Sequence, residues 1–166
     1  HFTGIKGVGL TALALCAQDL KIKVTGSDTQ EEFPTDAILK QRSISYQIDF
    51  APSHLPPATS LLVYTAAHQG PLNPEVIEAK KRGMPTLSHA QALALFMTGK
   101  RGTAICGVGG KTTTTAMLAS ILEVAHRQPS YAIGAGNVPV LGTPGKYHLS
   151  GQDFIAEADE YFAAPG

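Results

Sequence analysis

The sequence predicts an α/β fold in which helices cover the faces of a parallel sheet. Short apolar segments alternate with amphipathic segments along the chain, which is typical of repeated strand–helix units. Two glycine-rich turns, at residues 4–9 and 107–110, each lie between a predicted strand and a predicted helix. The apolar run at residues 61–65 has the composition of a strand buried in a parallel sheet.

Residues 1–99 are predicted to contain several alternating strands and helices. Apolar residues at helical spacing predict a first helix at residues 10–20. Pro74 would occupy the first position of a third helix, at residues 74–82. Three prolines at residues 52–57 predict a loop. Strands are predicted at residues 1–5, 23–26, 44–48, 61–65 and 86–87, and helices at residues 10–20, 35–41, 74–82 and 90–97.

A polar, glycine-bearing segment at residues 98–102 predicts a boundary near residue 100. We therefore expect two domains, at residues 1–99 and 100–166. In the second we predict a helix from the glycine turn to residue 125, a long surface loop at residues 134–151, and three strands at most, at residues 103–106, 131–135 and 154–156. A domain with so few strands and residues cannot bury its own sheet well, and we therefore expect this domain to be incomplete.

The overall composition excludes several classes of partner. Thirteen basic residues balance thirteen acidic ones, so electrostatic capture of nucleic acid or of an anionic membrane is not expected. No apolar run approaches the roughly 18 residues of a spanning helix, and no signal peptide is present, so we expect a soluble cytoplasmic protein. Cys16 and Cys106 lack metal-ligand spacing, and both are expected to be reduced core residues.

The glycine turn at residues 107–110 has the features of a phosphate cradle. Backbone N–H groups at a glycine turn and at a helix N-terminus point towards a bound anion. Lys111 would reach the outer phosphates, and the Thr112 hydroxyl is placed to hold a magnesium ion. Ile105 occupies the position of the first glycine in the common motif, so the loop is shortened. The alternative is a tight strand-to-helix turn with a surface lysine.

The turn at residues 4–9 has the spacing Gly-x-x-Gly-x-Gly, with Lys6 in its third position. Gly7 and Gly9 would let a pyrophosphate approach the backbone at the helix N-terminus, as in a Rossmann-like domain. Asp28 ends the second predicted strand, where an acidic residue commonly accepts hydrogen bonds from ribose hydroxyls. The alternative for these glycines is close packing alone.

Glu157 follows an apolar strand downstream of the second turn, which is the usual arrangement of a magnesium carboxylate. Asp159 and Glu160 are weaker candidates, and the alternative is a solvated acidic strand end. His68 and His89 follow predicted strands at the carboxyl edge of the first sheet, where each is a candidate for ligand contact or an ordinary loop residue.

The chain resembles the Mur ligases, ATP-dependent enzymes that add amino acids to UDP-N-acetylmuramate in peptidoglycan synthesis. The shortened phosphate loop is the form found in that family, whereas Lys6 and Gly109 depart from its pattern. The resemblance lies in four stretches in the family's order, at residues 1–9, 26–28, 107–117 and 157–160.

This resemblance implies a Rossmann-like domain for the UDP sugar and a P-loop domain for ATP and Mg²⁺. The reaction would pass through an acyl phosphate that the amino group of L-alanine attacks, with Lys111 and Glu157 as catalytic residues and Thr112 and Glu157 holding the metal. The implied UDP-sugar contacts are Gly7, Val8, Gly9, Ser27, Asp28, Thr65 and Ala66. The implied ATP contacts are Gly107, Val108, Gly109, Gly110, Lys111, Thr112 and Thr113.

Within the family, Gly9 favours the branch that adds L-alanine over the branch that recycles murein tripeptide. Residues 1–99 are also compatible with a nicotinamide-dependent dehydrogenase domain, and the second turn with a P-loop interaction module without chemistry. The resemblance implies further domains beyond residue 166, so we expect this chain by itself to bind nucleotide weakly and to have no ligase turnover.

Overall fold

The structure is a computed structural model that describes residues 1–158, and it contains two sheets. The first sheet is entirely parallel, in the order β3-β2-β1-β4-β5. Its elements are β1 (Phe2–Thr3), α1 (Val8–Asp19), β2 (Gly26–Asp28), α2 (Asp36–Gln41), β3 (Tyr46–Ile48), β4 (Leu62–Tyr64), α3 (Pro74–Lys81), β5 (Thr86–Ser88) and α4 (His89–Met97).

The second sheet has the order β6-β9-β7-β8. Its β6–β9 and β9–β7 pairs are parallel, whereas β8 pairs with β7 in the antiparallel direction. One helix, α5, connects β6 to β7. The elements are β6 (Arg101–Ile105), α5 (Lys111–Val124), β7 (Ser130–Ala132), β8 (Gly145–Lys146) and β9 (Asp153–Glu157).

Helix α1 lies between the two sheets and is buried on all sides along its middle. Every residue from Leu10 to Ala17 is buried, and the same hydrophobic cluster includes Phe2 of the first sheet and Phe154 of the second. A helix that is apolar all round requires such two-sided cover. The Cys16 thiol donates to the Tyr131 carbonyl at 3.5 Å.

The α/β fold with a parallel first sheet is confirmed, and the predicted helices are present. The division into two domains stays a prediction. The first sheet ends at Ser88 and the second begins at Arg101, but α1 contributes to the core on both sides of that boundary. Within residues 1–158, no helix has the length and apolar character of a membrane span.

Three expectations for the second half of the chain are wrong. Residues 134–151 are not a simple surface loop, because they contain β8 and the buried residues Val138 and Thr143. The second sheet accordingly has four strands rather than at most three. Cys106 is exposed rather than buried, because it follows β6, an edge strand whose residues Arg101–Ala104 are exposed.

A buried carboxylate, Glu75 at the start of α3, lies against the other face of the first sheet. It accepts hydrogen bonds from the hydroxyls of Thr3 at 2.7 Å and Ser27 at 2.5 Å, and the His1 imidazole lies 3.3 Å away. Burial would raise the pKa of Glu75, but the hydrogen bonds from His1, Ser27 and Thr3 outweigh it and lower that pKa. Glu75 therefore ties β1 and β2 to α3.

We expect Gly145→Ala to lower the free energy of unfolding by about 1–3 kcal/mol, because a Cβ there overlaps the carbonyl oxygen of Ala12 in α1. Gly109→Ala is the matched control, since no atom of the described residues lies within 4 Å of a Cβ at Gly109. Urea unfolding of both variants is the measurement. Equal unfolding midpoints would contradict the packing of β8 on α1.

Glu75→Gln tests the buried carboxylate through pH. Because the folded-state pKa of Glu75 is lowered, its stabilising contribution is present at pH 7 and is lost as pH falls below about 4. We expect the variant to be about 1–3 kcal/mol less stable than wild type at pH 7, with a smaller difference at pH 3.5. The control is Glu32→Gln, at an exposed site. A pH-independent difference would show that the ionised form is not what stabilises the fold.

Candidate functional site

The turn after β6 forms an open cradle at the N-terminus of α5. Gly107 has a φ of 144° and Gly110, the N-cap of the helix, has a φ of 75°, conformations that glycine adopts without strain. Among the described residues 1–158, no atom lies within 4 Å of a Cβ placed on Gly109 or Gly110. These glycines therefore serve backbone conformation and access rather than packing.

The cradle has the donors that an anion needs. The first N–H groups of a helix have no acceptor within the helix, and no side chain of residues 1–158 caps α5. The Lys111 ammonium donates to the Gly107 carbonyl at 3.0 Å, so this side chain lies across the loop. Positive charge and N–H groups thus converge on one open concavity.

Thr112 and Glu157 meet beside the cradle. The parallel register of β6 and β9 places Glu157 opposite Ile105, the last residue of β6. The Thr112 hydroxyl donates to Glu157 Oε1 at 2.8 Å, and the Gly134 N–H donates to Glu157 Oε2 at 2.9 Å. The predicted pairing of these two residues is thus present in space, while their metal role stays a prediction.

The donor set of this pair fits magnesium. A hydroxyl and a carboxylate supply hard oxygen atoms, and Mg²⁺ in nucleotide sites takes its other ligands from phosphates and water. Across residues 1–158, no group of three or more His, Cys, Asp or Glu side chains forms a site that could hold a metal ion by itself. Asp159 and Glu160, the weaker candidates, lie outside the described residues.

The first glycine turn lies at the carboxyl ends of β1 and β4, where the strand order of the sheet reverses and ligands bind in open α/β sheets. Gly4 has a φ of 87°, and a Cβ there would lie 2.5 Å from the Thr65 methyl group. Gly7 is the N-cap of α1, and in the part of the chain that the structure describes only the Gly4 carbonyl lies within 4 Å of a Cβ placed on it. The space beside Gly7 is therefore open, and the first N–H groups of α1 have no acceptor within the helix.

Asp28 and Ser27 lie beneath this turn rather than in it. The Asp28 carboxylate accepts from the Lys6 N–H at 2.6 Å and from the Thr29 N–H at 2.8 Å, and it is fully buried. The Ser27 hydroxyl is also buried and donates to Glu75. In this conformation Asp28 orders the turn, and contact of either residue with a ligand stays a prediction.

The other candidates surround the same turn. Thr65 follows β4 and is half-buried, and Ala66 beside it is exposed. The His68 ring lies 5.0 Å from the Phe50 ring, with Nε2 3.7 Å from the Asp28 carboxylate. The His89 ring packs against the Gly9 backbone, since a Cβ there would lie 2.8 Å from His89 Nε2. The fold therefore brings the predicted residues of the first site to one edge of the sheet.

Two residues that shape this site were missed in the sequence. Glu75 carries only the signal of an acid in the first turn of a helix, which favours the helix dipole and does not indicate a buried anchor for Ser27. In the sequence Lys6 differs from its surroundings only as a departure from a glycine pattern, yet its side chain is 2% exposed in the fold.

Comparisons with known proteins identify relatives of this chain. A family model described as "Mur ligase family, catalytic domain" matches residues 1–101. UDP-N-acetylmuramate–L-alanine ligase of Paenarthrobacter aurescens is 38% identical over 160 residues, covering 96% of this chain and 34% of that protein. The corresponding ligase of Geobacter sulfurreducens is 39% identical with the same coverage. This chain thus spans about a third of the length of these relatives.

Solved structures agree as well. UDP-N-acetylmuramate-alanine ligase MurC from Thermotoga maritima superposes with a TM-score of 0.80 at 28% identity, covering 95% of this chain and 36% of that one. UDP-N-acetylmuramate:L-alanyl-gamma-D-glutamyl-meso-diaminopimelate ligase from Neisseria meningitides gives a TM-score of 0.82 at 27% identity, covering 97% and 52%. With two glycine cradles in the order that the sequence predicts, these matches show that the chain belongs to the Mur ligase family.

Proposed function

We propose that this protein acts in the ATP-dependent joining of L-alanine to UDP-N-acetylmuramate, and that this chain carries its two nucleotide sites. The observation that carries the proposal is the open cradle at residues 107–110, with Thr112 hydrogen-bonded to the strand-end carboxylate Glu157. The relatives named for this reaction, which match 96% of the chain, support it.

In this proposal residues 100–166 begin the ATP domain. The backbone N–H groups from Gly107 to Thr113 hold the phosphates, and Lys111 exchanges the Gly107 carbonyl for an outer phosphate oxygen. Thr112 and Glu157 hold Mg²⁺, which when bound supplies positive charge at the phosphates. The chemistry is transfer of the γ-phosphoryl group to the substrate carboxylate, followed by displacement of phosphate by the amino group of L-alanine. Positioning and charge neutralisation account for most of the catalysis.

Residues 1–99 form the UDP-sugar domain in this proposal. The diphosphate lies at Gly7, Val8 and Gly9, where the N-terminus of α1 supplies N–H donors. Thr65 and Ala66 form the exposed rim on the β4 side, and Ser27 and Asp28 support the turn from below. This arrangement separates the sugar nucleotide from ATP and assigns one glycine cradle to each.

A second candidate function within the family is ligation of murein tripeptide. The structural similarity to the Neisseria ligase, with a TM-score of 0.82, favours it as much as the MurC similarity favours L-alanine. Both reactions use UDP-N-acetylmuramate and ATP in this proposal, so the two cradles serve either one. Ligation assays that offer each amino compound to the whole protein distinguish them.

We expect the 166-residue chain to bind UDP-N-acetylmuramate and not NADH, because its first turn is a Mur-type cradle. Isothermal titration calorimetry with each compound is the measurement, with UDP-N-acetylglucosamine as a matched control for the UDP part. Micromolar binding of NADH would favour a dehydrogenase domain and contradict the proposal. If the chain binds neither UDP-N-acetylmuramate nor NADH, that result would favour a P-loop interaction module without ligase chemistry. We also expect no phosphate release when UDP-N-acetylmuramate, L-alanine and ATP are all added to this chain, and release would overturn the expectation that it has no ligase turnover.

Glu157→Gln tests the magnesium pair. We expect the wild-type chain to bind ATP weakly, and at least about tenfold more tightly with Mg²⁺ than with EDTA, because the metal links phosphates to the carboxylate. The variant is expected to lose most of that difference while keeping the metal-free affinity. Asp153→Asn, on the same strand and paired with Arg101 instead, is the control. Binding is followed by NMR titration of the labelled chain, and an unchanged Mg²⁺ effect in Glu157→Gln would contradict the assignment.

A further inference from the structure

Lys6 has a buried ammonium group inside the first glycine turn. Its side chain is 2% exposed. The ammonium donates to the carbonyl of Thr29 at 3.1 Å and to that of Glu31, and the Asp36 carboxylate lies 3.4 Å away. These contacts supply an acceptor for each of the three N–H donors of a lysine.

Two aromatic rings complete the surroundings of this ammonium. It lies 5.0 Å from the centre of the Phe33 ring and 5.7 Å from that of Tyr46, within cation–π range. The Tyr46 hydroxyl donates to the same Asp36 carboxylate at 3.1 Å. Burial of a cation is costly unless it is paired and hydrogen-bonded, so this arrangement is a built feature and not a surface lysine that happens to fold inward.

The main chain of Lys6 contacts the same region. Its N–H donates to Asp28, and its carbonyl accepts from the Thr35 hydroxyl. Lys6 thus joins the glycine turn to residues 29–36, which we name the clasped segment. Residues 29–35 form no helix or strand, and Phe33 is further held by its N–H bond to Asp36. A segment without regular structure depends on such side-chain anchors for its order.

The position of the clasped segment connects it with both cradles. It follows β2 directly, and in doubly wound folds the residues after the second strand lie beside the nucleoside part of a bound nucleotide. On its other side Gly136 packs against Pro34, since a Cβ on Gly136 would lie 2.7 Å from the Pro34 carbonyl oxygen. Gly134, two residues earlier, donates its N–H to Glu157.

We propose that Lys6 is a positioning residue that fixes the clasped segment as a wall of the nucleotide pocket beside the first glycine turn. The inference rests on the proposed function, which places the UDP sugar at that turn. A wall that is ordered before binding removes the entropy cost of ordering it at the moment of binding. The backbone at Lys6 is not in the positive-φ region, so the turn requires no glycine at this position and accepts the side chain without strain.

Hydrogen exchange without ligand tests the ordering role by itself. We expect Lys6→Met, which keeps the length of the side chain and removes its charge, to raise amide exchange in residues 29–36 by about tenfold. Lys40→Met is the matched control, because Lys40 is an exposed lysine just beyond this segment. Exchange in Lys6→Met that equals the control would overturn the proposal. Should that variant fail to fold, Phe33→Leu removes one ring and is expected to act in the same direction.

Calorimetry with UDP-N-acetylmuramate tests the pocket. We expect folded Lys6→Met to bind about tenfold more weakly than wild type and Lys40→Met to bind as wild type. A lysine with a merely structural role would lower the unfolding midpoint and leave this affinity unchanged, and that result would overturn the proposal. If wild type itself binds no UDP-N-acetylmuramate, the proposed function fails, while the exchange measurement still decides whether Lys6 orders the segment.

Discussion

The burial of α1 between two sheets is the constraint on which the rest of this structure depends. Because residues from Leu10 to Ala17 are covered on every side, the helix cannot shift relative to either sheet without exposing apolar surface. Its N-terminus forms the first glycine cradle, and its body supports β7 and β8. Gly134, two residues after the end of β7, donates its N–H to Glu157 beside the second cradle. One helix therefore sets the framework in which both cradles are held.

The two cradles use the same backbone geometry with different support. Each is a glycine turn between a strand and a helix N-terminus, which presents N–H groups to an anion. The first is backed by buried side chains, with Asp28 holding the turn and Glu75 holding Ser27 beneath it. The second has exposed residues at 108–110, and its hydrogen bonds include those of Lys111 to the Gly107 carbonyl and of Thr112 to Glu157. The first cradle thus has buried side-chain support that the second lacks in the described residues, and the metal and phosphate roles of the second stay predictions.

The clasped segment adds a physical link between these regions. Lys6 attaches it to the first turn, and Pro34 contacts Gly136 in the loop that contains Gly134. Such a segment would be costly to order during binding, and a buried cation with carbonyl, carboxylate and aromatic partners lowers that cost. In the family resemblance Lys6 is a departure from a glycine, and its surroundings give that departure a structural reason.

Local signals in the sequence predict the α/β class, the helices and both glycine turns, because periodicity and turn chemistry involve residues that are near one another in the chain. The placement of Thr112 beside Glu157, 45 residues away, is implied by the family resemblance and not by such local signals. Only the tertiary structure showed that β8 exists, since a two-residue strand has no periodicity and forms through packing on α1. The same holds for the exposure of Cys106 on an edge strand. Lys6 and Asp28 are 22 residues apart, and Thr3 and Glu75 are 72 apart. Strand order and packing decide which distant partner a polar side chain meets. The residues near it in the sequence do not indicate that partner.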